Sequence, residues 1–247
     1  MDKRVVLVTG ANGGIGQAIC KHFRTEDWFV IGLDITISEE SRLLMDNYYI
    51  VDLTNSFEIQ NTMLKIQKEY GRLDCIVNNA ALQICKPIWE MTEYEWDKVM
   101  NCNVKAVFLL VKYGLEMLKA VKGNIINIGS VHSMASSDKI AAYACSKSAI
   151  VGLTRNLAIE LGKFGIRVNC VSPGAINTSM LMDGLKRNTD VPFEEVLDRF
   201  KGKHILGEIG EPEEIASMVY YICNSSKFMT GGNVFVDGGV LSRLSTE

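Results

Sequence analysis

The stretch TGANGGIG, Thr9 to Gly16, follows directly on the apolar run Val5–Val8. Half of its positions are glycine. The run before it reads as a strand and Ile15–Phe23 after it reads as a helix, so the glycines occupy a strand-to-helix turn. Two demands place glycine there. A tight turn needs backbone freedom. A pyrophosphate needs close approach to the bare N–H groups and partial positive charge of a helix N-terminus. Gly10, Gly14 and Gly16 are not spaced as GxGxxG, so the loop alone leaves both readings open.

The next strand narrows the choice. It ends FVIGLD, which puts Asp34 at a strand tip after one crossover. A carboxylate there accepts hydrogen bonds from a ribose 2′-hydroxyl and repels a 2′-phosphate. The glycine loop carries no Lys or Arg, and Ile35 follows the acid. Charge therefore favours NAD over NADP. The competing role for Asp34 is a solvated strand end or a cap.

Outward from this unit, strand and helix alternate. Apolar runs at Val5–Val8, Trp28–Leu33, Tyr48–Val51, Leu73–Val77, Asn124–Ile128, Arg167–Val171 and Asn233–Val236 read as strands. Their continuous apolar character suits strands buried on both faces of a parallel sheet. Helical spacing occupies about Gly14–Arg24, Ser56–Tyr70, Glu93–Cys102, Lys105–Ala120, Ala142–Phe164 and Pro212–Cys223. The pattern predicts an α/β fold, a doubly wound parallel sheet with helices on both faces. No Pro/Ser-rich linker divides the chain, so one domain over residues 1–247 is expected. Gly174 to about Gly210 breaks the rhythm and is expected to form a substrate lid.

Composition excludes other classes. The 247 residues are 47% hydrophobic and 22% charged, ordinary globular values. Lys plus Arg number 26 and Asp plus Glu 29, for a net charge of -3. No basic run suggests nucleic acid or an anionic membrane as partner. Seven cysteines, widely spaced and without CxxC, fit neither a disulfide scaffold nor a zinc site, and no metal is expected. No stretch approaches the roughly 20 apolar residues of a membrane helix. The short apolar segment near the N-terminus runs into the glycines, unlike a signal peptide. A cytoplasmic location is the expectation.

The strand Asn124–Ile128 leads into Gly129 and Ser130, and YACSK follows at Tyr143–Lys147 in a helical pattern. Positions i and i+4 share a helix face, which brings phenol and ammonium together. A free tyrosine, with a pKa of about 10, is too weak a base near neutrality. Lowering it to roughly 7 requires about 4 kcal/mol of differential stabilisation. A neighbouring cation acts in that direction. The pairing is also commonplace on amphipathic helices.

At this point the residues resemble those of the short-chain dehydrogenase/reductase family. The resemblance runs through TGANGGIG, Asp34, DLT at Asp52–Thr54, NNAA at Asn78–Ala81, Asn103, Ser130, YACSK, RVNCVSPG at Arg167–Gly174 and TGGNVFVDGG at Thr230–Gly239. It implies a Rossmann-type fold with a seven-stranded parallel sheet. It implies Tyr143 as general acid/base and Lys147 lowering its pKa and binding the nicotinamide ribose. Ser130 is implied to hold the substrate oxygen, and Asn103 a water in a proton relay. The NAD-binding set implied is Gly10, Asn12, Gly13, Gly14, Ile15, Gly16, Asp34, Ile35, Asp52, Leu53, Asn79, Ala80, Tyr143, Lys147, Pro173, Gly174, Ile176 and Thr178. Within it Asp52 and Leu53 flank the adenine, Asn79 braces the sheet, and Ile176 and Thr178 meet the carboxamide. The helices at Lys105–Ala120 and Ala142–Phe164 are similar to those that pair subunits in the family's tetramers. Two positions depart from the family's usual residues: Ala81 stands for the glycine of NNAG, and Glu208 for a frequent arginine.

NNAALQ and SVH resemble 3-hydroxybutyrate dehydrogenases, which carry a Gln and a His in these places and a Lys before the tyrosine. Gln83, Ser130, His132 and Lys139 are thus the expected substrate residues, arranged to hold a small alcohol such as a 3-hydroxy acid. Lys139 lies four residues before Tyr143, whereas that subfamily has three. A sugar or polyol dehydrogenase and a 3-oxoacyl reductase stay open, the latter commonly using NADP with a basic residue near the phosphate loop. A non-catalytic dinucleotide-binding regulator is the alternative of a different class. Its mark, loss of the tyrosine or lysine, is absent here.

Overall fold

The computed structural model describes residues 3–186 and 191–243. Its centre is a seven-stranded sheet in the order β3-β2-β1-β4-β5-β6-β7, with every neighbouring pair parallel. The strands are β1 (Val5–Thr9), β2 (Phe29–Asp34), β3 (Asn47–Ile50), β4 (Cys75–Asn78), β5 (Asn124–Ile128), β6 (Arg167–Pro173) and β7 (Asn233–Val236). Helices α1 (Gly14–Thr25), α2 (Glu39–Arg42), α3 (Ser56–Tyr70), α4 (Glu93–Met100), α5 (Ala106–Val121), α6 (Ala141–Gly162), α7 (Ser179–Lys186), α8 (Phe193–Lys203) and α9 (Pro212–Asn224) intervene. This is a doubly wound Rossmann-type α/β fold.

The inner strands are buried on both faces because successive side chains alternate between two cores, while the edge strands β3 and β7 are only partly covered. Val5, Leu7, Ile31 and Ile76 point to one core, packed with Ile59 and Met63 of α3 and Leu110 and Met117 of α5. Val6, Val8, Val30 and Val77 point to the other, packed with Ile19 and Phe23 of α1 and Ile215 and Val219 of α9. The order of winding reverses between β1 and β4. Loops leaving the C-terminal ends of those strands diverge there, which opens a crevice.

Local signals set the helix ends. Asn55 caps α3 by accepting from the N–H groups of Phe57 and Glu58, and Gly71 closes it at φ +66°. Thr92 with Glu95, and Glu211 with Glu214, form capping boxes on α4 and α9. The structure differs from the sequence reading in three places, the first being the short α2, for which no helical segment is expected. The break expected between two helices near Asn103 is one continuous helix, with a π-helical turn at Asn101–Lys105 joining α4 to α5. The irregular segment after Gly174 contains α7 and α8, while 187–190 lie outside the described residues. Each of these two helices fully buries a single side chain, Leu185 or Val196, and α8 sets Phe193, Val196, Leu197 and Phe200 along one face at helical spacing. Among the described residues no helix is long and apolar enough to cross a membrane.

Candidate active site

The glycine loop is fastened on three sides. Thr9 Oγ1 accepts from the N–H groups of Asn79 and Ala80, both at 3.0 Å. Asn79 Nδ2 returns bonds to the carbonyls of Thr9 at 2.9 Å and Gly10 at 3.1 Å, tying β1 to β4 across the crevice. Gly10 has φ +64°, and a Cβ there would lie 2.8 Å from Ala80 Cα. A Cβ on Gly16 would lie 2.0 Å from the Gly10 carbonyl oxygen. Close packing therefore explains these two glycines without any ligand. It does not explain Gly13, where a Cβ would meet nothing nearer than 3.4 Å. Gly13 is the N-cap of α1, with no side-chain cap and no acid in the first turn. The bare N–H groups following it, from Gly14 and Ile15 onward, suit a pyrophosphate.

Asp34 stands beside this loop. Its Oδ2 accepts from the Asn12 N–H at 2.9 Å and its Oδ1 from the Ile35 N–H at 2.7 Å. The Asn12 side chain turns away, bonded to Thr36, Ser38 and Ser41. Asn12 thus faces the loop with its backbone only. Ile35 is exposed and Leu53 is buried. Asp52 Oδ1 accepts from the Thr54 N–H and hydroxyl. The charges of Asp52, Asp34 and Lys147 all act on Cys102, a thiol that burial pushes up to about 11. These groups therefore lie near one another at the C-terminal edge of the sheet.

The chemistry-bearing residues meet at the next strand end. Ser130 follows β5 and caps a 3-10 turn, Val131–Ser133, its Oγ accepting from the His132 N–H at 3.1 Å. Tyr143 and Lys147 lie on one face of α6 with the ammonium 5.5 Å from the phenol ring centre. Burial pushes the Tyr143 phenol up to about 12, opposed by the Ser130 hydroxyl. Burial pushes the Lys147 ammonium down to about 8. The direction at Tyr143 is thus opposite to that expected from the ammonium alone. The reason is desolvation, which disfavours both charged forms. Lys147 Nζ donates to the Ile128 carbonyl at 2.7 Å.

Asn103 lies in the π-helical turn and is buried. Its Oδ1 accepts from the Leu82 N–H at 2.7 Å, and its Nδ2 donates to the Leu82 carbonyl and Ser146 Oγ, both at 2.9 Å. Ser146 in turn donates to the Tyr143 carbonyl at 2.7 Å. The amide therefore clamps the loop after β4 to α6, instead of facing open space. Ser146 was legible only as a letter within YACSK; its link to Asn103 spans 43 residues.

Of the expected substrate residues, Gln83 and His132 are half-buried. The His132 ring stands edge-on to Tyr143 with centroids 6.1 Å apart. Burial, and secondarily the charge of Lys203 on α8, holds its pKa below the usual value. Lys139 is exposed, at φ +62°, with its ammonium 4.0 Å from Asp138. Only its backbone reaches the Gln83 loop, the carbonyl accepting from the Lys86 N–H at 2.8 Å.

After β6, Pro173 is buried and the Gly174 N–H donates to the Val236 carbonyl. Ile176 is buried and pairs with Gly210 in a parallel bridge. Thr178 packs its Cγ2 against Gly14 at the start of α1. The sequence reading missed His204. It is buried, with Nε2 accepting from the Ala175 N–H at 3.3 Å and Nδ1 3.0 Å from the Phe200 carbonyl. It joins the end of α8 to the start of the segment that α8 closes. No local pattern announces such a residue. Among the described residues no cluster of His, Cys, Asp and Glu is arranged for a metal.

A nicotinamide dinucleotide fits these residues. The bare start of α1 suits its phosphates, Asp34 its ribose, and the buried Tyr143–Lys147 face its nicotinamide end.

Comparison with known proteins agrees. A family model described as Enoyl-(Acyl carrier protein) reductase matches residues 10–241. The 3-oxoacyl-[acyl-carrier-protein] reductase FabG of Thermotoga maritima is 32% identical over 98% of this chain and 99% of its own. The ligand-free aldohexose dehydrogenase of Thermoplasma acidophilum is similar with a TM-score of 0.93 and 29% identity, over 99% of this chain and 96% of that one. A 4-hydroxyisoleucine dehydrogenase complexed with NADH is similar with a TM-score of 0.89 and 31% identity, over 98% of this chain and 100% of that one. With the glycine loop, the parallel sheet and the Ser130–Tyr143–Lys147 grouping, these matches identify the chain as a member of the short-chain dehydrogenase/reductase family, NAD(P)-dependent oxidoreductases acting on the alcohol/ketone couple.

Proposed function

We propose that this protein interconverts a small secondary alcohol and its ketone, using NAD in preference to NADP. The observation that carries the chemistry is the meeting of Ser130, Tyr143 and Lys147 at the end of β5. Tyr143 holds the proton at its phenol oxygen, taking it from the substrate hydroxyl in oxidation and returning it in reduction. The Ser130 hydroxyl orients the substrate oxygen beside it. Lys147 binds the ribose and contributes positive charge, and Asn103 keeps the surrounding loop and helix together. When bound, the cofactor supplies the ring that takes or gives the hydride and, when oxidised, a positive charge beside the phenol. That charge adds to Lys147 against the desolvation of Tyr143. NAD is favoured because Asp34 presents a carboxylate beside the glycine loop, which carries no cation. The similar 4-hydroxyisoleucine dehydrogenase is complexed with NADH.

Residues 174–210 serve as the lid in this reading, with Thr178 against Gly14 and His204 latched to Ala175. The whole chain, 1–247, acts as one domain. A homotetramer is supported by apolar side chains left exposed on the subunit-pairing helices, Phe108 on α5 and Ile159 on α6. A 3-hydroxy acid is the favoured substrate class. Its carboxylate would lie near Gln83 and His132, where the charge of Lys203 acts.

A substrate panel followed by NADH absorbance tests this. It comprises 3-hydroxybutyrate, vicinal diols, aldoses and a 3-oxoacyl thioester, each with both cofactors. Turnover of 3-hydroxybutyrate with NAD is expected, and turnover of only sugars or diols removes the hydroxy-acid reading. Tyr143→Phe is expected to abolish turnover while NADH fluorescence still reports binding. Retained turnover overturns the assigned acid/base.

A further inference from the structure

Three buried polar side chains run in line beneath the site. They are Asn78 on β4, Asn127 on β5 and Thr154 on α6, each at most 4% exposed. The Thr154 hydroxyl donates to the Ile150 carbonyl at 2.8 Å, which spends its only proton. Its oxygen must therefore accept from Asn127 Nδ2, also at 2.8 Å. That orients the Asn127 amide, and its Oδ1 accepts from Asn78 Nδ2 at 2.8 Å. One hydroxyl thus sets the direction of the whole line. Burying such groups is costly, and aliphatic side chains would fill the same space without hydrogen-bond partners.

The line lies beside the catalytic face. Asn127 directly precedes Ile128, whose carbonyl holds Lys147 Nζ at 2.7 Å. Thr154 follows Lys147 by about two helical turns, on the same face of α6. Helix α6 is therefore bonded to β5 twice along one stripe, once by Lys147 and once through Thr154. Without the second bond, the Lys147 ammonium alone ties α6 to β5 by hydrogen bond among the described residues, and a long flexible side chain holds register less tightly than two ties do.

We propose that Asn78, Asn127 and Thr154 are positioning residues, which set the register of α6 on β5 so that Lys147 meets Ile128 and Tyr143 meets Ser130. This rests on the roles proposed for Tyr143 and Lys147. The isosteric Thr154→Val removes the acceptor while keeping the shape, and Thr154→Ser keeps the acceptor. The full-length variants are compared by kcat per NADH-binding site and by the pH profile of kcat.

Thr154→Val is expected to lower kcat roughly 10- to 100-fold, the scale of a small misplacement of reacting groups. It is also expected to move the limb of the pH profile set by Tyr143 and Lys147. Thr154→Ser is expected to stay near wild type in both. Should Thr154→Val not fold, Asn127→Ala, which removes the donor to Thr154, carries the same expectation. A wild-type kcat and pH profile in the folded variant overturns the proposal, even with a lower melting temperature. So does an equal loss in Thr154→Ser. Lys147→Ala and Tyr143→Phe are measured in parallel. If they retain turnover, the reading of the site fails; if they lose it and Thr154→Val does not, the positioning fails.

Discussion

The Lys147 ammonium reaches the carbonyl of Ile128 at 2.7 Å, and this contact anchors the catalytic face of α6 to the end of β5. The same burial that makes the contact holds the lysine down at about 8, against 10.5 for a free group. Between those values the unfolded chain binds more protons than the folded one. Stability contributed by this group therefore rises with pH across that window. Lys147→Met removes that rise. The stability difference between wild type and variant is expected to change by up to about 3 kcal/mol across the window. Urea midpoints at neutral and alkaline pH measure it, and a constant difference contradicts it.

Asp34 offers a second test because it fastens the glycine loop through the Asn12 N–H and is proposed to receive the ribose. Asp34→Ala is expected to weaken NADH binding by about 1.5–3 kcal/mol, the scale of a hydrogen bond to a charged group. That is roughly 10- to 100-fold in Kd. Rejection of NADPH is expected to relax in the same variant. Fluorescence titration with both cofactors reads the two effects. A wild type that already prefers NADPH contradicts the role assigned to Asp34.

The glycine loop separates packing from ligand approach. Gly16→Ala drives a Cβ to 2.0 Å from the Gly10 carbonyl oxygen, so the backbone must move. A cost of about 1–3 kcal/mol and a lower melting temperature are expected. Gly13→Ala meets nothing closer than 3.4 Å and is expected to keep its melting temperature while losing affinity for NADH. Equal thermal losses in the two variants contradict the distinction.

What was legible in the chain was local. Apolar runs announced the strands, and β1, β5 and β7 lie where those runs stand, β1 and β5 buried on both faces and β7 at the sheet edge. Tyr143 and Lys147 share a face because helix geometry places i and i+4 together. The glycine turn and the acid ending β2 needed only their distance along the chain. Where the reading fell short, the signal was still local: Phe193, Val196, Leu197 and Phe200 recur at helical spacing in α8, although α7 and α8 each fully bury only one residue.

The tertiary structure decided how those groups are spent. Asn103 binds Leu82 and Ser146, Asn12 binds the loop after β2, and Lys139 turns to solvent beside Asp138. His204 ties the end of α8 back to Ala175, just after β6. The tertiary structure also buried Tyr143, which pushes its phenol pKa up, opposed by the Ser130 hydroxyl. Sequence spacing fixes which residues share a helix face or a strand end. Burial and hydrogen-bond partners depend on segments far apart in the chain, and only the folded packing brings those together.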